Sequence, residues 1–234
     1  MKISNQHIIS SDIKAFLFDM DGVLFDSMPK HAEAWVHSFR ALGLDFNEYE
    51  AYMREGMTGA STINEIFNSQ LFRSATAEEC EQIYAEKAAY FESLGPSYPI
   101  PNVDKVLHLI QQNRKDIFLV TGSGQKSLLN KLEHSFPSVF QKDKMVTAYD
   151  VKKGKPDPEP YLMALQKGGL LPEQAIVIEN APLGVKSAVA AGIFTIAVNT
   201  GILKDEELLQ AGANCLYHDM MELRNDLLLF FSPS

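Results

Sequence analysis

Two carboxylates two residues apart, Asp19 and Asp21, end the apolar run in AFLFDMDGVLFD at 15–26. Side chains repeat every two residues along an extended chain, so both carboxylates face one cleft if the backbone stays near extended. Held that close they repel, unless a cation lies between them or one keeps its proton, and either solution serves chemistry. Gly22 lets the chain turn sharply just beyond. Read alone, the same pattern also describes a strand ending in a solvated acidic turn.

Three later stretches carry polar groups of matching kinds. Thr121-Gly122-Ser123-Gly124-Gln125 follows Phe118-Leu119-Val120 and opens a helix, where backbone N–H groups and the helix dipole favour an anion. It lacks the GxxxxGK[ST] spacing of a Walker A loop, and an ordinary helix cap would read the same way. Lys155 sits in Lys152-Lys153-Gly154-Lys155-Pro156-Asp157-Pro158, where the prolines could aim an ammonium at the same anion; the alternative is a solvated basic loop. Glu179 and Asn180, after Ala175-Ile176-Val177-Ile178, supply oxygens of the kind Mg²⁺ takes, or simply a turn at a strand end.

The elements that must position these groups follow from hydrophobic period. A short continuous apolar run, 15–18, reads as a strand buried on both faces of a parallel sheet. Helical spacing follows over 31–42, with Trp35, Phe39 and Leu42 on one face and Gly43 as the stop, then over 47–54, 61–72 and 76–94, the last opened by a Thr76/Glu79 capping box. The prolines of 95–101 mark a connector. Beyond it helices at 103–112, 125–136, 159–168, 184–191 and 206–211 alternate with strands at 117–121, 145–147, 175–178, 195–198 and 215–217. That alternation predicts an α/β fold, a parallel sheet covered on both faces with its ligand at the carboxyl ends of the strands, and the helical stretch becomes a cap inserted after the first strand.

Composition narrows the partners. The chain has 234 residues, a formal net charge of -9 and no long basic run, which argues against nucleic acid. Cys80 and Cys215 show no CxxC spacing and read as free thiols in a reducing compartment. MKISNQHIISSDIK at the start lacks the apolar segment of a signal peptide, and no apolar run is long enough to span a bilayer, so the expectation is a cytoplasmic protein, monomeric, without a membrane partner.

Taken together and in order, Asp-x-Asp, a strand-end Thr, a Lys-Pro loop and a strand-end Glu before a small-residue helix start resemble the four motifs of the haloacid dehalogenase superfamily. The resemblance covers nearly the whole chain, and the insert is similar to the small helical cap of β-phosphoglucomutase-like members. It implies a Rossmann-like parallel core at 1–26 and 99–234 and a helical cap at 27–98. Asp21, which the dehalogenase branch lacks, points to phosphoryl transfer. The resemblance further implies that Asp19 attacks phosphorus to form an aspartyl-phosphate, that Asp21 is the general acid and base, and that Thr121 and Lys155 hold the phosphoryl group. Mg²⁺ is implied on Asp19, the Asp21 carbonyl, Glu179 and Asn180. Met20, Gly22, Gly122 and Ser123, with His31, Glu55 and Thr58 from the cap, are the implied substrate contacts; His31 either relays protons or packs.

The departures carry the substrate expectation. Mutases of this subfamily present Lys and Arg to the far sugar phosphate where this chain has Glu55 and Gly59, a Lys and an Asn where it has Gly124 and Gln125, and commonly an Asp at Asn180. A carboxylate at 55 repels a far phosphate but could return to Mg²⁺ the charge missing at Asn180. A Mg²⁺-dependent phosphohydrolase acting on inorganic pyrophosphate is therefore expected, a branch the family includes. The alternatives are a β-phosphoglucomutase, a small sugar-phosphate phosphatase, and a phosphate-metabolite binding protein without turnover.

Overall fold

The computed structural model describes residues 12–122 and 126–232. Strand β1, Ala15–Phe18, is the pivot: β2 (Asp116–Val120) lies parallel on one side of it and β4 (Ala175–Glu179) parallel on the other. Strands β3 (Met145–Val146), β5 (Phe194–Val198) and β6 (Cys215–Tyr217) extend the sheet in the order β3-β2-β1-β4-β5-β6. The strand order reverses direction at β1, and in an open parallel sheet such a switch point opens a crevice at the carboxyl end. Asp19 is the first residue past that end.

Alternation along β1 feeds both faces of the sheet. Phe16 and Phe18 enter one cluster with residues of α5 (Val103–Gln112) and α6 (Lys126–Ser135), while Ala15 and Leu17 enter a second with α7 (Glu159–Gly168) and α8 (Pro182–Ala190). All of β1 is fully buried, as expected for a covered parallel strand. Helix α9 (Asp205–Gln210) adds a small satellite cluster through Leu208.

Between β1 and α5 stand α1 (Met28–Ala41), α2 (Glu48–Met53), α3 (Gly59–Leu71) and α4 (Ala77–Ser93), sharing a cluster of their own that also takes in Leu203. Capping boxes open α2 at Asn47/Glu50 and α4 at Thr76/Glu79. The chain enters and leaves the insert side by side, tied by Asp26 N–H to Tyr98 O at 2.8 Å and Ile100 N–H to Leu24 O at 2.9 Å.

Two expectations are corrected. Trp35 and Phe39 do face inward, but Leu42 is 48% exposed, because α1 ends at Ala41 and Leu42 leaves the helical stripe; Leu44 fills that place. The expected elements also stop at β6, whereas α10 (Met220–Phe230) follows, capped by the Asp219 carboxylate and packed on α5. Its cue, Asp219 before Met220, Leu223 and Leu227 at helical spacing, is plain once sought. Both cysteines are free thiols, and among the described residues no helix is long and apolar enough to cross a membrane.

Candidate active site

Residues from both halves meet at the end of β1. Lys155 Nζ reaches from its loop to Asp19 Oδ1 at 2.5 Å, Glu179 Oε1 at 2.6 Å and the Val120 carbonyl at 3.1 Å. Glu179 is fully engaged: Tyr161 donates to Oε1 at 2.7 Å, and the N–H groups of Asn180 and Ala181 to Oε2. Its carboxylate thus orients Lys155, and a role as metal ligand would require it to release these donors. For Lys155 burial favours the neutral amine, but Asp19 and Glu179 outweigh it and hold the ammonium above its ordinary range. Burial lifts the Asp19 carboxyl to about 8 against the pull of Lys155, and Glu179 and Asp21 add to the rise. An approaching cation reverses that rise.

Asp21 has different neighbours. Ser27 Oγ donates to its Oδ1 at 2.6 Å, and His31 Nε2 lies 3.3 Å from the same oxygen. Burial pushes Asp21 up, yet His31 and Ser27 together hold it below its usual value. His31 is buried, stacked on Phe91 at 4.2 Å, and its Nδ1 is 2.6 Å from Lys87 Nζ. An ammonium can only donate, so Nδ1 accepts and the imidazole proton sits on Nε2, toward Asp21. Burial, then Lys87, lowers the His31 pKa against the pull of Asp21, and burial among Trp35, Tyr84 and Phe91 brings Lys87 down to about 8. Lys87 was not legible as a site residue, although a lysine at i+4 between Ile83 and Phe91 on the buried face of α4 was the available sign.

Glu55 reaches the core from the insert. The Asn180 amide donates to Glu55 Oε2 at 3.0 Å, and Gly22 makes room for it. A Cβ at Gly22 would lie 2.0 Å from Asn180 Nδ2, and its φ of +78° suits glycine. Glu55 Oε1 and Asn180 Oδ1 are buried without a hydrogen-bond partner. Burial raises the Glu55 carboxyl well above its usual range, and Asp19, Glu179 and Asp21 add to the effect. Among the described residues no three His, Cys, Asp or Glu side chains form a ready metal cage. The donors that converge are nevertheless all oxygen and predominantly anionic, and two of them lack partners, which fits a hard divalent cation such as Mg²⁺.

Asp19, Asp21, His31, Glu55, Lys87, Thr121 and Gly122 line one cavity of about 70 Å³. Arg54, Tyr84 and Gly59 line it too; none of the three was expected as a contact. A Cβ at Gly59 would strike the Tyr84 ring at 2.2 Å, so aromatic carbon occupies the volume into which a longer residue would extend. Thr58 caps α3 by accepting from Ser61 N–H, and it faces a neighbouring cleft lined by Lys155 together with Lys152, Lys153 and Asp157. Met20 is core, wholly buried in the cluster around Phe16 and Phe18. Ser123, Gly124 and Gln125 lie outside the described residues.

Residues 13–192 match the family described as haloacid dehalogenase-like hydrolase. The chain belongs to that family. A solved structure from Bacteroides vulgatus, provisionally named a beta-phosphoglucomutase, is 52% identical with a TM-score of 0.91, covering 94% of this chain and 89% of that one. Among curated members of the haloacid dehalogenase-like hydrolases, validoxylamine A 7'-phosphate phosphatase of Streptomyces hygroscopicus subsp. limoneus is 33% identical over 213 residues, 90% of this chain and 96% of that protein. Pyrophosphatase PpaX of Oceanobacillus iheyensis is 27% identical over 199 residues, 85% and 89% of the two chains. This member is accordingly an enzyme of the phosphatase or phosphomutase kind, with the parallel Rossmann-like core expected of it.

Proposed function

We propose that this enzyme hydrolyses inorganic pyrophosphate with Mg²⁺, through an aspartyl-phosphate on Asp19. The observation that carries this reading is Glu55, which lines the Asp19 cavity and accepts from the Asn180 amide, with an unpartnered buried oxygen on each side chain. A carboxylate there repels the far phosphate of a hexose bisphosphate and serves a cation instead. Tyr84 fills the space that a longer side chain at 59 would take, and about 70 Å³ is small beside the ~300–1,000 Å³ of ordinary ligand pockets. The name of the Oceanobacillus relative agrees with such a substrate.

In this reading an Asp19 oxygen attacks one phosphorus while the bridging P–O bond breaks, and Asp21, which His31 and Ser27 hold ionised in the resting site and which must therefore first take up a proton, gives that proton to the departing phosphate. Water then attacks the aspartyl-phosphate, Asp21 takes the proton, and the bond to Asp19 breaks to release the second phosphate. His31, fixed by Lys87, orients Asp21 for both transfers. Lys155 and Thr121 hold the phosphoryl oxygens. Asp19, the Asp21 carbonyl, Asn180 and Glu55 would hold Mg²⁺, which would supply neutralisation of the charge on nucleophile and phosphate. Residues 27–98 act as a lid, swinging on 24–29 and 95–101 to bring Glu55 in and shut water out.

The Bacteroides vulgatus relative's name favours a second reading, in which the phosphoryl group passes to a sugar. One comparison separates them: kcat/KM in Mg²⁺ for pyrophosphate, β-glucose 1-phosphate and a panel of sugar phosphates, with a coupled assay for glucose 6-phosphate. Pyrophosphate should lead by a wide margin; efficient isomerisation with pyrophosphate untouched overturns the proposal.

A further inference from the structure

Arg54 precedes Glu55 and shares its turn, yet its chemistry faces the other way. Its guanidinium is braced from outside the cavity: Nη1 donates to the Glu50 carbonyl at 3.2 Å, Nη2 lies 3.4 Å from Glu65 Oε1, and the Phe46 ring is 5.7 Å away. Neither glutamate lines the cavity, whereas Arg54 does. The remaining donor, Nε, is buried with no hydrogen-bond partner. A buried N–H left unpaired is unfavourable, so in this docked arrangement the position calls for an acceptor.

The neighbouring cations are already engaged. Lys155 is held by Asp19 and Glu179, and Lys87 by His31. Every carboxylate near Asp19 repels a second anionic group, and Arg54 is the cavity-lining guanidinium that could receive one. We propose that Arg54, through Nε–H, binds the phosphate that leaves, so that the turn at 54–55 delivers a phosphate ligand and a metal ligand together. The assignment rests on the diphosphate reading. It also accounts for how a lid lacking cations at 55 and 59 can still grip a substrate with an anionic far end. Charge-assisted hydrogen bonds of this kind strengthen as negative charge gathers on the leaving oxygen.

The test compares a two-phosphate ligand with a one-phosphate ligand. Calorimetry with Mg²⁺ measures imidodiphosphate, which spans both positions, and orthovanadate, which occupies the Asp19 position alone. Arg54→Met should weaken imidodiphosphate by about 100-fold and vanadate by less than about 3-fold, and should lower kcat/KM for pyrophosphate to match. Arg54→Lys keeps the charge but loses the Nε donor; about a 10-fold loss of imidodiphosphate is expected, and this variant decides the matter should Arg54→Met not fold. Unchanged imidodiphosphate affinity, or equal losses for both ligands, overturns the assignment and leaves Arg54 as a brace between α2 and α3. If the wild type fails to hydrolyse pyrophosphate, the diphosphate reading itself falls; if it does hydrolyse it and the two ligands respond alike, only the role of Arg54 falls.

Discussion

The Asn180 amide donates a 3.0 Å hydrogen bond to Glu55, joining the end of β4 to the turn after α2 across 125 residues of sequence. Each side chain keeps one buried oxygen without a partner, and the Glu55 carboxyl is pushed well above its ordinary pKa by burial and by the carboxylates beneath it. Without metal this rise favours the protonated acid, whereas the metal-ligating Glu55 proposed above must be ionised.

Mg²⁺ binding should accordingly release protons. Because Glu55 and Asp19 both sit above their usual values, metal affinity should rise with pH through the neutral range, as the acids lose their protons more readily. Calorimetry in buffers of differing ionisation enthalpy measures the release, and Glu55→Gln should reduce it. A proton count of zero at neutral pH contradicts the account.

Asp19→Asn keeps the shape of the nucleophile and removes its charge, so turnover should vanish while the melting temperature holds. Asp21→Asn should cost about 10²–10⁴-fold in kcat, the usual worth of a positioned acid and base. Rapid-quench labelling with pyrophosphate should place phosphate on the Asp19 peptide in the wild type and none in Asp19→Asn.

Lys87 should give opposite signs in activity and stability. Its folded pKa of about 8 lies below the ordinary 10.5, and the ammonium is a stronger donor to His31 Nδ1 than the neutral amine, so kcat/KM should fall as pH rises through 8. A base depressed on folding binds fewer protons folded than unfolded between those values, so stability should instead rise from pH 8 toward 10.5. Lys87→Met should flatten both limbs, read from pH–rate and denaturation profiles.

Much of this was legible from residue types, and the remainder was lost for physical reasons. Asp19, Thr121 and Glu179 stand at the ends of apolar runs, where side-chain period and turn residues announce themselves, and Lys155 stands in a proline-bounded loop. Glu55 stood out because it reversed an expected charge. Lys87 and Tyr84 lie on α4, whose outward and inward faces are told apart only after α1 to α4 pack, Arg54 lies in the turn after α2, and a lysine or arginine in such places ordinarily reads as solvated. Thr58, which the resemblance implied as a substrate contact, caps α3 and faces a neighbouring cleft that Lys155 also lines.

Tyr84→Ala should open the volume above Gly59. Activity on small sugar phosphates should rise relative to pyrophosphate by about 10–200-fold, the range that one pocket group commonly controls. Relative kcat/KM for the same substrate panel reports it, and an unaltered ratio denies Tyr84 a part in selection.

The central claim is that Glu55 returns to the metal the charge that Asn180 withholds. A double-mutant cycle on Mg²⁺ affinity, with Glu55→Gln, Asn180→Asp and the two combined, tests it directly. Glu55→Gln alone should weaken Mg²⁺ by at least about 10-fold, and adding Asn180→Asp should restore most of the loss. Independent, additive effects, or a Glu55→Gln enzyme that binds Mg²⁺ as tightly as the wild type, would contradict the account.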